Sequence, residues 1–173
     1  SGSSANGKSN KDRRKLFLAI ALLLPLLTLL LLEGVLRIAG FARPEPLFVP
    51  VENAPGQYLQ PNEKVIQRYF ADPRLAPRTA IDTTFFPAEK RAGSFRIVLQ
   101  GGSTAAGFPF GKWASPAGML KQRLQRTFPG RDIELISTAM SAVNSYTLSD
   151  FADEIVAIEP DAVLIYAGHN EYL

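Results

Sequence analysis

The sequence predicts an α/β domain with a parallel sheet, set behind a single N-terminal membrane helix. Three observations carry this. From Phe95 onward, apolar runs of strand length alternate with amphipathic stretches of helix length. The connections between successive apolar runs are long enough to be crossovers, which parallel strands require. Leu16–Leu32 is a charge-free, Leu-rich run close to the start of the chain.

The first element is a basic tail, residues 1–15. Lys8, Lys11, Arg13, Arg14 and Lys15 stand there against Asp12, a local charge of +4 in a chain whose total is +3. The remaining residues therefore sum to −1. A basic excess confined to one terminus is not the surface stripe that nucleic acid needs, so no nucleic-acid partner is expected. Ser1–Asn10, small and polar, is expected to be disordered. The chain has no cysteine, which excludes disulfides, thiolate metal sites and a cysteine nucleophile. With 173 residues it has room for about one domain.

Residues 16–40 are expected to form a transmembrane anchor. The seventeen residues of Leu16–Leu32 cover roughly 25 Å as a helix, and continuing to Gly40 supplies the rest of a bilayer core. Glu33 and Arg37 lie four apart on one face and are expected to pair. Pro25 is tolerated in a membrane helix. A soluble core helix is a poor alternative, because 173 residues offer no core able to surround it. A cleaved signal peptide is the other alternative. The apolar run is long for one, and the nearest small-x-small site is Gly40-Phe41-Ala42. Five basic residues precede the run and Arg37 and Arg43 follow it. The positive-inside rule then leaves the N-terminus in the cytoplasm and the rest periplasmic or extracellular.

Residues 41–94 hold eight of the thirteen prolines and keep no regular period. Proline fixes φ and removes backbone donors, so a Pro-rich stalk and covering segment is expected. Its contact points on the domain are taken as Phe85, Phe86 and Tyr69-Phe70. From Phe95 the pattern becomes regular. Phe95–Gln100 reads as a buried strand ending in Gly101-Gly102. Ser115 caps and Pro116 starts a helix with Leu120, Leu124 and Phe128 on one face, stopped by Pro129-Gly130. Asp132–Ile136 is a second strand. Asn144 or Ser145 opens a helix carrying Leu148, Phe151, Ile155 and Ile158, ending before Pro160. Ala162–Tyr166 is a third strand.

The residues just past the carboxyl ends of parallel strands share one edge of the sheet, where open α/β sheets bind ligands. Three polar loops converge there: Gly101–Gly107, Ser137–Asn144 and Gly168–Glu171. A phosphate-binding loop fails on spacing, since Ala106 stands where a glycine would be needed and Trp113 follows Lys112. Gly101-Gly102-Ser103-Thr104-Ala105 misses the Gly-x-Ser-x-Gly elbow at Ala105. No cofactor or metal is implied.

These three loops resemble the first three blocks of the SGNH/GDSL hydrolases, in their membrane-anchored bacterial form with a Gly-His-Asn-Glu third block. The resemblance covers Phe95–Leu173. It implies a flavodoxin-like three-layer α/β/α sandwich, of which residues 95–173 would be the N-terminal part. It also implies a serine nucleophile at Ser103, with an oxyanion hole made by the Ser103 and Ala139 N–H groups and the Asn170 side chain. Gly102, His169 and Glu171 would line the substrate site, with Phe108 and Trp113 packed over it. The substrate would be an acyl ester, of a lipid or an acylated glycan, and other membrane subunits would be candidate partners. Several positions depart from the family pattern: Gly102 replaces its Asp, Ser137 its Asn, Ala139 its Gly and Glu171 its Asp. The family's late Asp-x-x-His has no counterpart up to Leu173, so the resemblance implies further domain elements after it. A non-catalytic docking or glycan-binding subunit of a membrane complex is the alternative, and a purely structural anchor a third reading.

The serine chemistry also stands on the residues alone. An ester-cleaving serine needs an exposed hydroxyl on a tight turn, which preceding glycines allow. Developing negative charge needs fixed donors, and an asparagine at a strand end can be one.

Overall fold

A computed structural model describes residues 6–39, 44–54, 56–77, 79 and 81–171, with side chains from residue 12 onward. The chain forms two compact units, Ser1–Arg43 and Pro44–Leu173.

The first unit is one helix, α1 (Asn6–Ile38), 33 residues long. Its stretch Asp12–Ile38 has a mean hydropathy of 2.6 and is long and apolar enough to cross a membrane. The expected pair is present, with Arg37 Nε 2.7 Å from Glu33 Oε1. Pro25 lies inside the helix without ending it. The helix begins at Asn6, which corrects the expectation of disorder through Asn10. Lysine and arginine are good helix formers, and a segment continuous with a formed helix propagates without a new nucleus.

The second unit begins with the Pro-rich segment, which is more regular than a stalk. β1 (Phe48–Pro50), β2 (Tyr58–Pro61) and β3 (Phe86–Pro87) form an antiparallel sheet in the order β1-β2-β3. Proline is the last residue of all three strands, where a missing ladder donor does least harm. Leu47, Val65, Ile66 and Phe86 are buried with Val98, Ile136, Phe151 and Ile155 in one core. Residues 44–94 are therefore part of that core as well as a cover. Of the expected contact points, Phe86 is buried and Tyr69 tilts against Phe151 at 6.5 Å. Phe85 stays exposed and meets Tyr58 edge-on at 5.5 Å.

β4 (Phe95–Gly101), α2 (Pro116–Thr127), β5 (Ile133–Ser137), α3 (Ser145–Asp150), α4 (Ala152–Ala157) and β6 (Ala162–Tyr166) follow. The strands are parallel in the order β5-β4-β6. Ser115 caps α2 by accepting from the Gly118 N–H, with Pro116 at the first helical position. Asn144 caps α3 through the Thr147 N–H, and the single helix expected there comes in two pieces that meet at the buried Phe151.

Alternation along β4 separates two cores. Ile97 and Leu99 pack with Ala117, Leu120 and Leu124 of α2. Val98 packs with Leu148, Phe151 and Ile155 of α3 and α4. Helices thus lie on both faces of the sheet. Arg96 shares the Val98 face and is fully buried. It donates to Glu134 Oε2 at 2.6 Å, the Ile158 carbonyl at 2.7 Å and the Pro87 carbonyl at 2.9 Å, and its guanidinium stacks on Phe86. One cation therefore ties β4 to β5, to the end of α4 and to β3. β6 differs from its neighbours: from Val163 to Tyr166 every residue is exposed, on both faces.

Candidate functional site

Strand register decides what meets at the carboxyl edge of the parallel sheet. Gly101 is paired with Tyr166, so β4 and β6 end level with one another. The Gly102 N–H donates to the Tyr166 carbonyl at 3.3 Å, and a Cβ on Gly101 would collide with that same carbonyl. Only glycine lets the two strand ends approach this closely.

The chain then winds into consecutive tight turns. Ala106 N–H donates to the Gly102 carbonyl at 3.0 Å, Gly107 to Thr104 at 3.1 Å and Phe108 to Ser103 at 3.0 Å. Ser103 sits half-buried on the first of these turns. Beside it, the loop after β5 is strapped to β4 by Thr138 N–H to the Leu99 carbonyl at 2.9 Å and Met140 N–H to the Gly101 carbonyl at 3.1 Å. Ala139, between the two straps, is buried with Ala105. Neither the Ser103 N–H nor the Ala139 N–H has a hydrogen-bond acceptor among the described residues.

The loop after β6 supplies the third member. Asn170 Nδ2 donates to the Val143 carbonyl at 2.7 Å, which holds its amide over the β5 loop. The same Nδ2 lies 3.5 Å from where a Cβ on Gly102 would be. Gly102, the Ser103 turn and Asn170 are therefore neighbours, with the Ala139 loop strapped to the end of β4 beside them. The Asn170 amide and two backbone N–H groups without acceptors among the described residues are donor types suited to an oxygen that gains negative charge, although Ala139 itself is buried.

His169 and Glu171 are placed differently. His169 is exposed, its ring edge-on to Tyr166 at 5.8 Å. Glu171 accepts from the Ser145 N–H and from Ser145 Oγ, both at 2.8 Å, so it closes the first turn of α3. Phe108 and Trp113, expected to pack over the site, are each 71 % exposed. Neither ring therefore covers the Ser103 turn, and Trp113 instead lies beside α2, where a Cβ on Gly118 would stand 3.2 Å from its Cα. Gln100, one residue before the glycines, is buried with its Oε1 lacking a partner among the described residues. Its only signal in the sequence is a polar residue closing an apolar run.

The one large proton-affinity shift among the described residues, that of Tyr69, lies elsewhere, in a clasp that fastens the covering segment to α3 and α4. Arg68 meets Asp150 at 3.0 Å and Glu154 at 2.6 Å, and the Tyr69 hydroxyl donates to Asp150 at 2.7 Å. Burial pushes the Tyr69 phenol up, and its bond to Asp150 adds to the effect. The Tyr69 hydroxyl and Arg68 hold the Asp150 carboxyl below its usual range. Burial works against the Arg68 cation, but its bonds to Glu154 and Asp150 outweigh it and raise its pKa. None of the three was singled out for this from the sequence, because their partners lie more than eighty residues away.

Comparison with protein-family models, with curated proteins and with solved structures finds no match to this chain.

Proposed function

We propose that the chain belongs to a membrane-anchored, extracytoplasmic serine ester hydrolase of the SGNH type, or to an acyl-transferring relative. The observation that carries the reading is the meeting of the Gly102-Ser103 turn with the Asn170 amide, 3.5 Å from the Gly102 Cβ position, beside two N–H groups without partners among the described residues. In this reading Ser103 Oγ attacks an acyl carbonyl, and the oxyanion is held by the Ser103 and Ala139 N–H groups and by Asn170. The strand order β5-β4-β6, with helices on both faces, favours a flavodoxin-like sandwich whose ligand crevice opens where the order reverses, between β4 and β6. α1 serves as the anchor. Its basic leading end favours a cytoplasmic N-terminus, which leaves the α/β unit on the far side, within reach of acylated glycans or lipids.

The test uses the protein in membranes. A fluorophosphonate labels wild type and not Ser103→Ala, and Ser103→Ala abolishes turnover of a short-chain ester. Asn170→Ala keeps the label while kcat falls about 10²–10³-fold through loss of one oxyanion donor. His169→Ala has a milder effect, since its ring faces Tyr166.

A non-catalytic docking or glycan-binding module is the second reading. It is favoured by the engagement of Asn170 with the Val143 carbonyl, which also suits a simple bracket between two loops. Wild type that neither labels nor hydrolyses any ester would put this reading first.

A further inference from the structure

One cavity of the α/β unit has no residue of the Ser103 turn in its lining. It has a volume of about 570 Å³, within the range of small-ligand sites, and is floored by Ala117 and Leu135. The floor belongs to α2 and β5, on the side of β4 opposite to β6, so the bare β6 edge does not create it. One wall is the outer face of α2. Gly118, Lys121, Gln122 and Gln125 recur there at helical spacing, while Leu120 and Leu124 turn toward the core. The other wall is Asp82–Phe85, and Lys112 and Trp113 close one end. Gly118 is what lets that end sit directly on the helix: a Cβ there would stand 3.2 Å from Trp113 Cα.

The chemistry of these walls is specific. Trp113 and Phe85 are large, exposed and both part of the lining. The Lys112 ammonium covers one face of the Trp113 ring at 5.4 Å. Two primary amides and the Thr83 hydroxyl add donors and acceptors to the lining. The single carboxylate of the lining, Asp82, is committed to the Thr84 N–H at 3.0 Å and the Thr84 hydroxyl at 2.6 Å, and faces Lys112 at 3.9 Å. Lys121 has no carboxylate partner among the described residues. Aromatic faces suit the C–H faces of a sugar ring, amides and hydroxyls suit its hydroxyls, and an uncommitted ammonium suits a carboxylate. An acyl chain would leave the amides and the ammonium unsatisfied.

We propose that this cavity binds a short stretch of an acidic saccharide, with Lys121 on the carboxylate, Gln122 and Gln125 on ring hydroxyls, and Trp113 and Phe85 against the ring faces. The site stands independently of the role of Ser103.

Trp113 is the only tryptophan of the chain, so intrinsic fluorescence reports this cavity. The full chain in detergent is titrated with trigalacturonate, with the neutral maltotriose, and with pyrophosphate as an anion lacking a ring. Trigalacturonate is expected to give a saturable change that weakens with salt, while the other two give none. Lys121→Gln weakens it about tenfold, as loss of a charge-assisted hydrogen bond does. Gln122→Ala combined with Gln125→Ala weakens it further, and Ser103→Ala leaves it unchanged. These three α2 side chains stand at the helix surface, and coincident melting curves verify that the variants remain folded. No saturable change with trigalacturonate overturns the proposal. So does equal binding of maltotriose, which removes the acid, or of pyrophosphate, which removes the sugar. Binding that survives the Lys121 and glutamine variants places the ligand elsewhere and overturns the site.

Discussion

β4 and β6 run side by side in parallel register, and their sequences are much alike. Val98 is paired with Val163, and Leu99 with Leu164. Yet Val98 and Leu99 are 0 % and 3 % exposed, while Val163 and Leu164 are 42 % and 40 % exposed. The difference belongs to the neighbours, not the strands. β4 has a strand on each side, α2 over one face, and α3, α4 and the covering segment over the other. Among the described residues β6 has a partner on one edge only, and beyond Ala162, which packs against the α2 side, its residues stay exposed. Hydrophobic pattern states what a strand can bury, and the elements packed on it decide what it does bury.

The largest expected effect sharpens the covered side. Arg96→Ala leaves Glu134 buried without its principal cation and frees the carbonyls of Pro87 and Ile158. A loss of about 3–5 kcal/mol is expected, which approaches the whole stability of a small domain. Chemical denaturation of the full chain measures it, and a loss below about 1 kcal/mol would show that the buried guanidinium does not bind the layers together.

The paired leucines set the two strands against each other directly. Leu99→Ala is expected to cost about 2–5 kcal/mol and Leu164→Ala less than about 1 kcal/mol. Equal losses would break the comparison, because β6 would then be covered in the working protein.

The smallest effect concerns the clasp that keeps one face of β4 covered. Asp150, depressed in the fold, contributes stability that is present above its unfolded pKa and is lost as pH falls through its folded value, in acid below about pH 4. Tyr69, raised in the fold, contributes stability that is present below its unfolded pKa of about 10 and is lost as pH rises beyond it toward the folded value. The melting temperature should therefore fall at both extremes. Tyr69→Phe should make the alkaline fall shallower, and an unchanged alkaline limb would remove Tyr69 from the account.

Local signals made part of this molecule legible. Ser115-Pro116 and Pro129-Gly130 bracket α2, and Ala162–Tyr166 reads as a strand because glycine and proline flank an apolar run. Once the strands were ordered, Ser103, Ala139 and Asn170 fell at corresponding loop positions. The antiparallel sheet was not legible, since strands of three, four and two residues are too short to show a period. Arg96 was missed for a related reason. A cation inside an apolar run looks like a surface residue until its partner, Glu134, is aligned beside it by β-pairing. Glu171 was expected to line the substrate site, and its contact with Ser145 depends on two segments meeting across the sheet edge.

The Leu47 N–H donates to Glu154 Oε2, a partner 107 residues later in the chain. A ribosome adds about 5–20 residues per second, so this bond must form on the order of 5–20 s after Leu47 is made. Throughout that interval Leu47, Val65, Ile66 and Phe86 are apolar side chains without their core. The packing of this segment is therefore tied to the arrival of α4.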